Sequence, residues 1–269
     1  MFSLTDRQYF MFAVVVYGCS MIYSFFLWRR GFREDNRVNY FLLLTAFVLH
    51  TVAMVLRGFS FERCPVNNLY EATTFVMWTI VAAYLVIGIW ARLRFLGAFA
   101  SPVLFVVGVF ALMPALDAQK DFSGGLASLH AALILLAYGA FGLGSIAGLM
   151  YVTQEHNLKF HKLRAVFSLM PSMERLEKVM GRLLNGGFVL LTLGLSLSPI
   201  LLKQKFDVYF KADPKLLWSI FVWGAYLTLI LLHSRFAQTG RRFAWGAIGA
   251  FCFVLLTFWG VNLLSPAHN

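Results

Sequence analysis

The chain is short of charge. Only 13% of its 269 residues are Asp, Glu, Lys or Arg, where a soluble domain carries about a quarter. Carboxylates are scarcest, 12 against 23 Lys and Arg, and none falls in the middle of an apolar run. A proton-coupled transporter would need such intramembrane carboxylates, so that class is disfavoured. The three cysteines, Cys19, Cys64 and Cys252, form no CxxC or CxxCH pattern, which argues against a disulfide framework or a thiol redox centre. Cys19 and Cys252 lie inside apolar runs, where a thiol is expected to be buried as a small apolar group. Cys64 receives no role. HExxH and Ser-His-Asp arrangements are missing, and no general acid or base is evident. The histidines are too dispersed for the tight ligand set of a zinc site. The basic residues scatter over loops, so nucleic acid is not an expected partner. No repeat is visible, and no loop is long enough for a soluble domain.

What the chain has is apolar length. Sixty per cent of its residues are hydrophobic, and mean hydropathy is +0.73. Runs of roughly 20 apolar residues cross a ~30 Å hydrocarbon core as helices, because backbone groups in lipid must pair within their own segment. The expected fold is all-α, a polytopic bundle of eight transmembrane helices forming one domain over 1–269. The spans read as 8–28, 39–57, 70–91, 95–113, 129–153, 187–203, 215–236 and 243–264. Pro102 makes the fourth the weakest. The first run ends in Arg29 and Arg30 rather than at a small-residue cleavage site, so it is expected to be retained.

Lys and Arg set the orientation. With the N-terminus outside, the cytoplasmic loops hold 15 of the 23 basic residues. Both termini are then on the outer, periplasmic side of the cytoplasmic (inner) membrane. The loop 154–186 is cytoplasmic and carries an amphipathic helix near 171–185. In it Met173, Leu176, Val179, Met180, Leu183 and Leu184 recur at helical spacing among Arg175, Lys178 and Arg182, as in a helix lying on the inner leaflet. Asn185, Gly186 and Gly187 are expected to end it. Lys203, Lys205, Lys211 and Lys215 break the charge rule on the outer side. They suit headgroups or an anionic ligand there. Gly144 and Gly148 form a GxxxG pair that lets another helix approach closely.

Four of the six histidines are placed where a ligand would be. His50 lies inside the second span and His233 near the inner end of the seventh. His130 opens the fifth span on the outer side, and His268 follows the eighth. His156 and His161 sit in the basic cytoplasmic loop. Two pairs of imidazoles, one external and one within the membrane, suit bis-imidazole ligation of heme. Heme iron takes neutral imidazole, and the macrocycle wants apolar and aromatic walls. Propionates want Arg or Lys, and Arg57 stands seven residues, or two turns, beyond His50. The depths of the membrane pair differ. His50 is 13 residues from Arg37 while His233 is two from Arg235, a sizeable offset at ~1.5 Å per residue.

"LHTVAMVLRG" (49–58), "PVNNLYEATTFVMW" (65–78), "SLHAALILLAYGAFGLGSIAGLMY" (128–151), "PSMERLEKVMGRLLNGGFVLLTLGLSL" (171–197), "DPKLLWSIFVWGAYLTLILLHSR" (213–235) and "LLTFWGVNLLSPAHN" (255–269) occur in that order. In this order they resemble the cytochrome c assembly protein family, the heme-handling membrane proteins of the CcsA, CcmC and HemX type. The resemblance implies b-type, non-covalent heme. It implies an external ligand pair at His130 and His268 and a transmembrane pair at His50 and His233. Arg57, Tyr70, Glu71, Phe206, Tyr209, Phe210 and Asp213 are candidate heme contacts. It further implies export or handling of heme and its presentation to apocytochrome c, as at most one subunit of a heme lyase. A separate ResB/CcsB-type membrane partner is implied, because none is fused here. One departure leaves a second function open. Where the family reads roughly WGxxWxWDPK, this chain has "KQKFDVYFKADPK" (203–215), with Phe206, Tyr209, Phe210 and Ala212 in place of tryptophans. The alternative is a HemX-like regulator of heme or tetrapyrrole metabolism that attaches no heme.

The NLYE segment also has a purely structural reading. Asn68 is a good N-cap and Glu71 falls at the reciprocal capping-box position.

Overall fold

The computed structural model describes residues 4–29, 36–60, 68–117, 125–159, 171–207, 214–236 and 239–264. The regular structure among them is helical: α1 (Asp6–Arg29), α2 (Arg37–Ser60), α3 (Leu69–Ile87), α4 (Leu96–Ala111), α5 (Gly125–Lys159), α6 (Met173–Ser196), α7 (Ser198–Phe206), α8 (Pro214–Arg235) and α9 (Arg241–Leu264), with a 3-10 turn at Ala91–Leu93. Seven of the eight predicted spans fall mainly on one helix each, and 187–203 runs from the second half of α6 into α7. Six helical stretches are long and apolar enough to cross a membrane: α1, α2, α3, α5, α8, and α6 continued into α7 as far as Gln204. The chain is a polytopic helical membrane protein.

α4 is shorter, at 16 residues, and runs straight through Pro102. The ring removes the N–H that would bond Ala98. Next to it, buried Ser101 uses its hydroxyl twice, donating to the Gly97 carbonyl at 2.8 Å and meeting Ser24 Oγ at 2.7 Å.

The sixth span differs from expectation. Asn185, Gly186 and Gly187 do not end a surface helix. One helix runs from Met173 to Ser196, capped by Ser172 Oγ on the Arg175 amide. The reason is packing. At Gly187 an added Cβ would come within 2.6 Å of Phe141 and 3.2 Å of the Ala137 carbonyl, whereas Gly186 faces open space. Gly187 lets α6 close on α5, and that contact carries the helix past two residues of low helix propensity.

α5 is the centre of the bundle, packed on α3, α4, α6 and α9. Its small residues make this possible. Gly139 abuts Thr79, Gly142 abuts Ile80 and Phe251, and Gly148 lies against Met180 and the Ala244 carbonyl. Gly144 faces Leu184, so the GxxxG pair is a seam for α6 and α9. Phe141 stacks on Tyr226 of α8 at 3.6 Å and 8°. On one flank α1 packs on α2 and α4, and α3 on α2 and α4. On the other α6 packs on α8, and α8 on α9.

Helix ends that the charge count puts on one side do meet. Arg7 Nη2 donates to the Leu112 carbonyl at 2.6 Å, joining the start of α1 to the end of α4. At the opposite ends of the bundle Asn36 Nδ2 donates to the Arg94 carbonyl, Gln154 Nε2 to the Pro171 carbonyl, and the Gly240 amide to Glu177 Oε2. Cys19 and Cys252 differ from expectation: both thiols are exposed on the outside of the bundle. Lipid tails are as apolar as a protein core, so such a thiol has no need of burial by protein.

Candidate functional site

α1, α2 and α3 enclose a polar interior. His50 is wholly buried, with its ring 4.9 Å from Phe10 and 6.3 Å from Tyr17. Tyr17 Oη and His50 Nδ1 are 3.2 Å apart, a hydrogen bond whose direction depends on the tautomer. Nε2 is buried and has no hydrogen-bond partner among the described residues. An orphaned buried nitrogen is costly, and this one is also chemically apt. If Nδ1–H donates to the phenol, Nε2 carries the lone pair. A second group that fixes one ring nitrogen and frees the other is the usual setting of a metal-ligating histidine. Nε2 is therefore the atom of His50 that would hold a heme iron.

His130 shows the same division in a different place. Its Nδ1 is 2.7 Å from the Gly194 carbonyl of α6. A carbonyl only accepts, so Nδ1 carries a proton, and in the neutral ring Nε2 holds the lone pair. His233 stacks on Phe243 of α9 at 3.9 Å and 11°. Its Nδ1 is 3.9 Å from Glu177 Oε1. Its Nε2 looks at Gly181 of α6, where even an added Cβ would stand 3.6 Å off.

Among the described residues the histidines do not converge. His50 belongs to the α1–α4 flank. His233 sits among α6, α8 and α9, with no neighbour in common among these contacts. His130 stands at the α5–α6 seam on the outer side. His268, Tyr209, Phe210, Asp213 and Cys64 lie outside the described residues, as does the side chain of Phe206. Among the described residues no three His, Cys, Asp or Glu side chains come together as a metal cluster.

Arg57, Tyr70 and Glu71 do come together. Arg57 Nε is 2.8 Å from Glu71 Oε1 and Arg57 Nη1 is 3.0 Å from Asp6 Oδ2. The guanidinium lies over the Tyr70 ring at 4.7 Å. The Arg57 and Glu71 side chains are 7% and 0% exposed, and charges so placed need partners. Asn68 caps α3 as expected, its Oδ1 accepting from the Glu71 amide at 2.8 Å. The Glu71 carboxylate turns to Arg57 instead of only closing a capping box. Tyr70 meets Phe10 edge-on at 5.6 Å, and Phe10 meets His50. Asp6 and Phe10 are one turn apart on α1. The ion-pair cluster thus fixes the helix whose aromatic residues cover His50.

Sequence reasoning missed Asp6 as a partner and missed a buried polar stripe. Ser20 donates to Asn39 Oδ1, Ser24 meets Ser101, and all four are fully buried. The signal was present: Tyr17, Ser20 and Ser24 fall at helical spacing on one face of α1.

Fold and site together define a multi-pass membrane protein with one wholly buried histidine, His50, among aromatic and polar side chains, and two part-buried ones, His130 and His233. The sequence profile described as Cytochrome C assembly protein matches residues 66–268. The chain belongs to that family. It is 26% identical to the cytochrome c biogenesis protein CcsA of Guillardia theta, over 85% of this chain and 83% of the relative. It is 25% identical to CcsA of Trieres chinensis, over 95% and 91%. It is also 25% identical to Protein HemX of Bacillus subtilis, over 95% and 94%.

Proposed function

We propose that the chain is a heme-binding component of cytochrome c biogenesis in the cytoplasmic membrane, handling heme as cargo for apocytochrome c. The observation that carries this is the unpartnered Nε2 of His50, buried beside Tyr17 and Phe10. Family membership and the CcsA relatives support it. In this reading His50 and His233 are the membrane ligands and His130 and His268 the external ones. Heme supplies a redox-active iron when bound. The protein's part is to present neutral imidazoles, with Nδ1 of His130 held by the Gly194 carbonyl and Nδ1 of His50 by Tyr17. Apocytochrome c and a ResB/CcsB-type membrane protein are the proposed partners. Deletion of the gene should abolish covalent heme staining of c-type cytochromes, and plasmid-borne wild type should restore it.

A second reading is favoured by the sequence of the external loop before Asp213, and a HemX relative accompanies it. The HemX relative aligns over almost its whole length, and the external loop lacks the family's tryptophans. A HemX-like regulator would leave c-type cytochromes intact on deletion and change heme or precursor levels instead.

A further inference from the structure

A cleft of about 740 Å³ opens between the end of α3, the 3-10 turn after it and the first half of α6. Its volume is that of a ligand site. One wall is apolar and faces outward, with Val86 61% and Trp90 60% exposed. The other wall carries Arg175, Lys178 and Arg182, spaced three and four residues apart on one side of α6. Glu174 is the single acid lining it, and Lys178 holds that carboxylate at 2.6 Å. Among the described residues neither the Arg175 nor the Arg182 guanidinium has an acidic or hydrogen-bonding side-chain partner. Both helix ends lie on the side that the charge count makes cytoplasmic.

We propose that this cleft binds the headgroup of an anionic phospholipid of the inner leaflet. Its phosphate sits on Arg175 and Arg182, and its acyl chains run along Val86 and Val179. Three features select that occupant. Two unneutralised guanidinium groups recognise phosphate. A tryptophan at the open edge is the usual marker of the headgroup level. An apolar wall continuous with the bilayer serves a lipid and is of no use to a soluble anion. A zwitterionic headgroup would set its own cation against three others. None of the described histidines lines the cleft, so the proposal neither needs nor tests heme binding.

The test is native mass spectrometry of the full chain in detergent, titrated with phosphatidylglycerol or phosphatidylcholine. One phosphatidylglycerol should be retained well above the phosphatidylcholine level. In an Arg175→Gln/Arg182→Gln variant that binding should weaken roughly thirty-fold. Arg241→Gln/Arg242→Gln, on the same side but outside the cleft, should retain it. Both pairs are exposed, and circular dichroism checks that the variants fold. Equal retention of the two lipids would overturn the proposal. So would an unaffected cleft variant, or equal losses in both variants, which would mean diffuse charge. Metal-free protoporphyrin that displaced the lipid through the same two arginines would also overturn it, in favour of a tetrapyrrole dianion.

Discussion

The Nε of Arg57 lies 2.8 Å from Oε1 of Glu71, and both side chains are shut away from solvent. This pair ties the C-terminal end of α2 to the start of α3. Asp6 joins it from α1 and is 23% exposed. Removing one partner of a buried pair leaves an uncompensated charge, at about 3–5 kcal/mol. Arg57→Ala is therefore expected to be strongly destabilising. Asp6→Asn leaves the Arg57–Glu71 bond in place and should cost about 1 kcal/mol or less. Thermal unfolding in detergent ranks the two, and equal losses would contradict the assigned roles.

The hydroxyl of Tyr17 is the one hydrogen-bond partner of His50 Nδ1 among the described residues. Tyr17→Phe should leave that nitrogen unpaired and cost about 1–3 kcal/mol. If His50 ligates heme, the same change should weaken heme binding by roughly 10–100-fold and alter the spectrum of what remains. A spectrum and affinity identical to wild type would remove Tyr17 from the site.

Adjacent glycines of α6 should respond with opposite sign. Gly187→Ala drives a methyl into Phe141 and should destabilise by about 1–3 kcal/mol. Gly186→Ala meets nothing and gains up to about 1 kcal/mol of helix propensity. Were the helix to stop at these residues, both changes would be harmful. Paired melting curves decide between the two.

Most of the fold was legible because lipid permits few alternatives. Apolar runs become helices, and their alternation puts successive ends on opposite sides, as the Arg7–Leu112 and Gln154–Pro171 bonds bear out. The stop at Asn185–Gly187 was misread because local propensity says nothing of Phe141, the residue that occupies the groove Gly187 leaves. The two exposed thiols were misread because burial rules drawn from water do not hold against lipid. In the site, Asn68 was legible from its position alone. The partnership of Arg57, Glu71 and Asp6 was not, since it joins three helices and leaves no periodic trace. Nor does sequence order say which histidines meet, and His50 and His233 stand on opposite flanks of α5.

The central claim is that these histidines hold heme. The most direct measurement is the absorption spectrum of the full chain, purified in detergent and supplied with heme. A low-spin Soret band is predicted, diminished by His130→Ala and by His50→Ala, and unchanged by His156→Ala at an exposed position. No Soret band, or one indifferent to every change at His50, His130, His233 and His268, would contradict the account.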